Sequence, residues 1–539
     1  MNESRGSEYT WVEGLAICLS MIGVQQATQI IAQWGPFFYS PSEDVGRTVY
    51  VTTMMVTVIF VLGTVWDAIT DPLIGAWSDR TRTRPGWARI VPLRGRRRPF
   101  IFWGSIFLTF TSIFFWFPPI AGTSHVNFGY GVALLCLHWF VFTITVVPLT
   151  SLGPEIARTE RARVSLGIWT AVGMIVGLAL AIVLPGVLIA KLDPARIEDR
   201  LIVTLPEQDV LALAALSPEA TDPAHMTRRD GAITSVITGE LLGTINGEDA
   251  ALFLRERIPE ARRDRVSVVL EEGSFSPTGY RRVATMFALI SLVLLQLPVW
   301  LVRERFDSAT RAHAEVPWLQ GVREAFGNRP FVVYCVAFFL FNIGLIAVQN
   351  ALPYWAELGL GGDESTVTVL MIPFVVTCIV FYVAVPSLTK RLHTKWMTFL
   401  SFLIITTGLP WMYFIPRMEI AVETKFMLGG ALFGYCGIGQ SIIYAMMTPI
   451  LGEIIDYDEL RSGQRREALY NGLHSFVTKL AIACAIAIAM TSMRLWGKSA
   501  EAYTGVLLVG PIAACFGFLG MIAILFYPVL CVTPDRGNA

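Results

Sequence analysis

Twelve stretches of this 539-residue chain are each apolar over roughly 20 residues or more, at about 11–38, 50–78, 99–118, 128–152, 165–190, 282–302, 330–356, 365–388, 396–416, 424–451, 468–493 and 503–530. A run of that length spans a hydrocarbon core of about 30 Å as a helix. In lipid the backbone must satisfy its own polar groups, so such runs have few options besides helices. Charged residues make up 16% of the chain, against about 25% in soluble domains. The expected class is an all-α polytopic membrane protein. Formal net charge is zero, which gives no bulk attraction to nucleic acid. The eight cysteines (Cys18, Cys136, Cys335, Cys378, Cys436, Cys484, Cys515 and Cys531) stand singly in apolar segments, as buried, inert thiols do. The first run is too long for a signal-peptide core and is expected to be a spanning helix.

The connecting segments orient the helices. With the N-terminus inside, five inner loops hold 22 Lys and Arg, whereas the short outer loops hold a handful, including Arg47, Arg417, Lys425 and Lys498. Positive residues collect on the cytoplasmic side, so both termini are expected there, in a cell inner membrane. Residues 191–281 interrupt the pattern between the fifth and sixth runs. This orientation puts them outside, where β-branched runs (Leu201–Leu205, Val266–Leu270) beside helical ones (Asp209–Leu216, Gly247–Arg257) suggest a small α/β domain. LGPEIARTERARVSLG (152–167) and LGEIIDYDELRSGQRREALYNG (451–472) occupy equivalent positions six helices apart, as in two parallel six-helix halves. The expected organisation is an N-terminal bundle from 1–190 and 282–302, the insertion 191–281, a cytoplasmic loop 303–329, and a C-terminal bundle 330–539.

Polar residues inside the runs carry the chemistry. Asp67, Thr70 and Asp71 share one helical face of the second run. Two carboxylates at that depth are expensive and usually mark an ion or proton path. Counting about 1.5 Å per residue, Asp67, Thr143 on the fourth run and Lys479 on the eleventh all lie about 15 Å from the inner surface. Together they are expected to form a cation site near the midplane, where transporters place coupling ions. No further metal site is expected.

Amides and aromatics in the runs suit a neutral hydroxylated ligand: Gln25, Gln26, Gln29, Gln33, Trp34, Trp139, Trp169, Asn342, Gln349, Asn350, Tyr354, Gln440, Tyr470 and His474. Interhelical hydrogen bonding is the competing role for each. Asp79 and Arg80, with the acidic positions Glu155, Glu453 and Asp456 in the equivalent loops of the two halves, are candidates for a cytoplasmic gate. Arg82, Arg84, Arg94, Arg96, Arg97 and Arg98 beside them serve topology and lipid headgroup contact. Gly173 and Gly177, and Gly430 and Gly434, have the spacing of close helix contacts.

WDAITDPLIGAWSDRTRTR with GRRRPF resembles the signature of the glycoside–pentoside–hexuronide:cation symporters, a branch of the major facilitator superfamily that includes melibiose carriers. GEIIDYDELRSGQRREALYNGLHSFVTKLA resembles that family's second signature. The likeness covers all twelve runs but not residues 191–281. It implies the major facilitator fold, two pseudo-symmetric six-helix bundles, and alternating access driven by Na⁺, H⁺ or Li⁺. It also implies cation-site roles for Asp67, Thr70 (Asn in melibiose carriers), Asp71, Thr143 and Lys479. The melibiose carriers' sugar-binding aspartates have no counterpart: Gln25 and Gln26 stand in the first run and Val146 in the fourth.

The expected function is cation-coupled symport of a sugar or glycoside, with Na⁺ or H⁺ as coupling ion, no cofactor, a lipid surround and a monomeric carrier. The alternatives are a lysolipid carrier and a receptor whose outer domain binds ligand. An enzyme is not expected, since no nucleophile–base set, metal cluster or phosphate loop is evident.

Overall fold

A computed structural model describes residues 9–43, 47–81, 95, 97–157, 160–193, 200–206, 209, 226–229, 232–238, 267–271, 276–304, 318–389, 392–463 and 466–528. The first half holds α1 (Trp11–Tyr39), α2 (Thr53–Arg80), α3 (Arg98–Phe114), α4 (His125–Ile156), α5 (Glu160–Leu192) and α6 (Thr278–Leu301). A short helix, Trp318–Phe326, leads into α7 (Arg329–Tyr354), α8 (Glu364–Thr389), α9 (Thr394–Gly408), α10 (Val422–Ser462), α11 (Glu467–Trp496) and α12 (Thr504–Leu525). Among the described residues eleven helices are long and apolar enough to cross a membrane, and α3 is a shorter apolar one of 17 residues. The twelve expected runs are thus all helical, and the chain is a multi-pass membrane protein.

Exposure along α2 shows why. Leu62, Val65, Trp66, Ile69 and Leu73 form an exposed stripe, while Thr64, Asp67, Thr70 and Ile74 on the other face are buried. A helix that turns its apolar side outward and its acids inward is built for lipid, where charge belongs in the bundle interior. On α5, Ile168, Val172, Val176, Leu180 and Leu184 repeat the pattern at intervals of four.

Local chemistry fixes the helix ends. Thr10 and Glu13 form a capping box at the start of α1: the Glu13 amide donates to Thr10 Oγ1, and the Thr10 amide donates to Glu13 Oε2. Glu13 Oε1 also accepts from the Arg303 amide, which ties the start of α1 to the segment after α6. Glu304 accepts from the amides of Arg97 and Arg98 at the start of α3. Gly173 lets α5 meet α1, because a Cβ there would lie 2.1 Å from the Cys18 carbonyl oxygen. Gly430 and Gly434 pack on Pro373 of α8.

The chain divides into two compact units, one of the helices and one comprising residues 44–48 and 193–279. The second contains an antiparallel sheet in the order β2 (Met226–Arg229), β3 (Ala232–Thr238), β1 (Arg200–Pro206), β4 (Ser267–Glu271). Leu205 pairs with Ile233, and Thr204 with Thr234, whose hydroxyls are 3.2 Å apart. Val203, Leu205 and Ile233 are buried, so one face of this sheet carries its small core. The two expected strands are β1 and β4. The helical runs expected at 209–216 and 247–257 lie outside the described residues, apart from Asp209.

Near the C-terminal end of α1 the two halves are tied together. Lys498 is buried, and its Nζ donates to Ser40 O (2.9 Å), Ser40 Oγ (2.6 Å) and Pro41 O (2.9 Å). Burial lowers its ammonium to about 8, so at neutral pH it keeps its charge and three donors for three acceptors. Tyr354 OH donates to Ser40 O (2.7 Å), Ser42 Oγ to Glu357 (2.5 Å), and Tyr280 OH to Glu364 (3.1 Å). At Gly186 of α5 a Cβ would lie 2.2 Å from the Glu364 carbonyl oxygen. Gly186→Leu is therefore expected to wedge this sealed end open. Overpacking of about 1–3 kcal/mol shifts the sealed-to-open ratio roughly five- to 150-fold. A thiol reagent applied to a Ser42→Cys reporter should react correspondingly faster in the Gly186→Leu background. Equal labelling in both backgrounds would show that the contact does not close this end.

Candidate functional site

Midway along the helices, four side chains from three elements meet. Thr143 Oγ1 of α4 donates to Asp67 Oδ1 (2.9 Å) and lies 3.0 Å from Asp71 Oδ1. Lys479 Nζ of α11 lies 2.7 Å from Asp67 Oδ2 and 2.5 Å from Asp71 Oδ2, and 3.4 Å from the Asp67 carbonyl. The helix period puts Asp67 and Asp71 one turn apart on one face of α2, where Lys479 spans both. Pro72 follows immediately and lacks the N–H that Ala68 O would accept in an unbroken helix.

Two carboxylates face one ammonium, which leaves a single uncompensated negative charge. Hard oxygen ligands of this kind suit a proton or an alkali cation better than a soft metal. Asp67 is the more buried acid, its side chain 8% exposed against 30% for Asp71 and 16% for Lys479. Access therefore comes from the Asp71 side, away from the sealed end. Lys479 belongs to the second half and the acids to the first, so the ion pairs also bridge the halves. Thr70 is buried beside them, but its hydroxyl donates to the Asp67 carbonyl at 3.2 Å, within its own helix.

The amides and aromatics separate into distinct roles. Gln26 Nε2 donates to Gly177 O (3.1 Å), joining α1 to α5. Gln25 accepts from Gln29 Nε2 (3.4 Å), and Gln29 accepts in turn from Gln349 Nε2 (3.0 Å) across the halves. Asn342 and Asn350 donate to carbonyls of their own helix, Phe338 O and Ile346 O. Trp139 packs edge-on to Phe142, and Trp169 lies over Gly14. Tyr470 OH accepts from Asn328 Nδ2 (3.1 Å) and its ring meets Phe331. His474 is buried against Tyr334, with neither ring nitrogen hydrogen-bonded. Of the candidate substrate residues, Gln29, Gln33, Gln349 and Gln440 line the cavity between the halves, of about 110 Å³.

Among the gate candidates, Glu453 accepts from Thr394 Oγ1 at 2.9 and 3.0 Å, within its own half, and Asp456 is half-buried on α10. The side chains of Asp79, Arg80 and Glu155 lie outside the described residues, as do Arg82, Arg84, Arg94 and Arg96. Nearby, Arg466 pairs with Asp458 (2.9 Å) and with Glu324 of the short helix. The sealing residues Ser42, Glu357 and Glu364 had no sequence signal and Lys498 only its isolation in a short loop, while Tyr354, a candidate for ligand contact, instead bonds Ser40 O.

The family model described as MFS/sugar transport protein matches residues 17–530. An uncharacterized symporter of Synechocystis is 22% identical over 87% of this chain and 86% of its own length. The isoprimeverose transporter of Lactiplantibacillus pentosus is 19% identical over 97% of this chain and 90% of its own. Among solved structures, a D-xylose-proton symporter superposes with a TM-score of 0.54, at 13% identity, covering 97% of this chain and 98% of that one.

Proposed function

The chain belongs to the MFS/sugar transport protein family, and on that premise we propose that it is a cation-coupled symporter of a sugar or glycoside working by alternating access. The observation that carries the reading is the cross-half constellation of Asp67, Asp71, Thr143 and Lys479. One bound Na⁺ or H⁺ neutralises its excess charge, and the ion sits at the joint on which the two halves turn. The similarity to a named isoprimeverose transporter and to a D-xylose-proton symporter supports a sugar as the cargo.

The bias of Lys and Arg supports an orientation with both termini in the cytoplasm. The sealed end then faces outward and the cation site opens inward. In this conformation the carrier releases its cargo. Outward opening requires the Lys498, Tyr354 and Ser42 hydrogen bonds to part.

The test uses purified carrier in liposomes, with D-xylose, isoprimeverose and methyl glycosides offered under imposed Na⁺ or pH gradients. Accumulation of a neutral sugar above its outside concentration, abolished by dissipating one of the gradients, is expected. Uptake that only equilibrates under every gradient would overturn the coupling.

A further inference from the structure

The cavity between the halves is lined by two amides whose polar atoms the protein leaves wholly or partly unsatisfied. Gln33 of α1 is fully buried, and neither its Oε1 nor its Nε2 has a hydrogen-bond partner. Gln440 of α10 is 4% exposed, and its Oε1 is likewise unpaired. Both side chains line the same cavity, one from each half. Their neighbours Gln29 and Gln349 are bonded to each other across it. A buried amide without partners costs about 1–3 kcal/mol per group, and such groups are otherwise uncommon in folded proteins. Two of them facing one space point to a ligand that supplies what they lack.

Resting on the carrier reading above, we propose that Gln33 and Gln440 form the specificity pair for the cargo, and that the cargo they read is a neutral polyol. A hydroxyl both donates and accepts, so adjacent hydroxyls on a sugar ring match an amide that offers one acceptor and one donor. A carboxylate or phosphate only accepts, and would leave the Oε1 atoms of Gln33 and Gln440 unpaired. None of the side chains lining the cavity carries a charge, so nothing there balances an anion. The remaining wall, with Leu352, Met371 and Phe433 among its members, suits the C–H face of a ring. The pair therefore selects neutral sugars over uronic acids and phosphate-bearing lipids. Because one amide sits on each half, a bound ring also draws the halves together.

The experiment measures ligand-induced thermal stabilisation and calorimetric binding of the full-length carrier, with D-xylose, methyl α-D-glucoside, D-glucuronate and lysophosphatidylcholine as probes. A neutral probe is expected to bind and stabilise, while glucuronate and the lysolipid do not. Gln33→Leu and Gln440→Leu should each weaken the neutral probe at least about tenfold. Because the replacement removes unpaired polar atoms, the ligand-free variants should be as stable as the parent or more so. A purely structural amide would show the opposite. Retained stabilisation by Na⁺ or low pH in the variants separates a lost cargo site from a misfolded protein. Three results would overturn the assignment: glucuronate or lysolipid binding as tightly as the neutral probes, unaltered neutral-probe binding in both variants, or no neutral probe binding at all. If an acid or a lipid is instead accumulated under a cation gradient, the pair is misassigned while the carrier reading stands. If a neutral probe binds through the pair but no gradient drives its uptake, the carrier reading fails and the pair stands.

Discussion

Asp67→Asn is expected to convert the carrier from one that concentrates its cargo to one that only equilibrates it. The parent site has two carboxylates and one ammonium within 3 Å. Removing the Asp67 charge leaves Asp71 and Lys479 balanced, so no charge remains to attract a cation. Thr143 still has Asp71 as an acceptor, so the local hydrogen bonding largely survives. A tenfold cation gradient supplies about 1.4 kcal/mol, which coupled one to one sustains about tenfold accumulation. In the variant the ratio should fall to about one, with exchange of cargo across the membrane retained. The measurement is steady-state accumulation in liposomes under the imposed gradient, beside counterflow under no gradient. Parental accumulation by Asp67→Asn would remove this residue from the coupling mechanism.

Lys479→Met shifts the balance the other way. Both carboxylates then face each other without a counter-charge, and two like charges at that distance resist joint ionisation. One of them takes up an extra proton or a second cation. The dependence of cargo binding on cation concentration should turn from hyperbolic to sigmoidal. Thermal stability in cation-free alkaline buffer should drop, by somewhat less than the 3–5 kcal/mol typical of a fully buried broken pair, because Asp71 is partly exposed. Adding Asp67→Asn to Lys479→Met restores the single negative charge, and with it stability and a hyperbolic response. Lys479→Met with parental stability and a hyperbolic response would show that Lys479 does not counterbalance the acids.

The meeting of Asp67, Asp71, Thr143 and Lys479 was largely legible in the sequence, for a physical reason. Charge is so costly in lipid that Asp67, Asp71 and Lys479 stand out, and helix rise alone gives their depth. Thr143 gained its weight from that common depth and from the family resemblance. Thr70 shows the limit, since a threonine on a helix always has a backbone carbonyl within reach, and here it takes the one at Asp67. The residues proposed to read the cargo were harder. Gln33 reads in sequence like Gln26, yet Gln26 is spent on the Gly177 carbonyl and Gln33 on nothing. What distinguishes them is the neighbouring helix, which spacing does not encode. The seal at Gly186 is equally silent, because a backbone approach across two halves leaves one glycine as its trace. In the second unit, β1 and β4 announce themselves by apolar residues, whereas β2 is Met-Thr-Arg-Arg and is held by its ladder to β3.

The charge left over at the Asp67 site also determines where the membrane voltage acts. On the proposed cycle the loaded site is electrically neutral, so its passage is indifferent to the potential. The unloaded site is negative, and a potential negative inside pushes it to face outward, with up to about 2.3 kcal/mol per 100 mV if it crossed the whole field. The energised membrane would then do its work on the empty carrier, resetting it for the next cycle, and not on the ion as it enters.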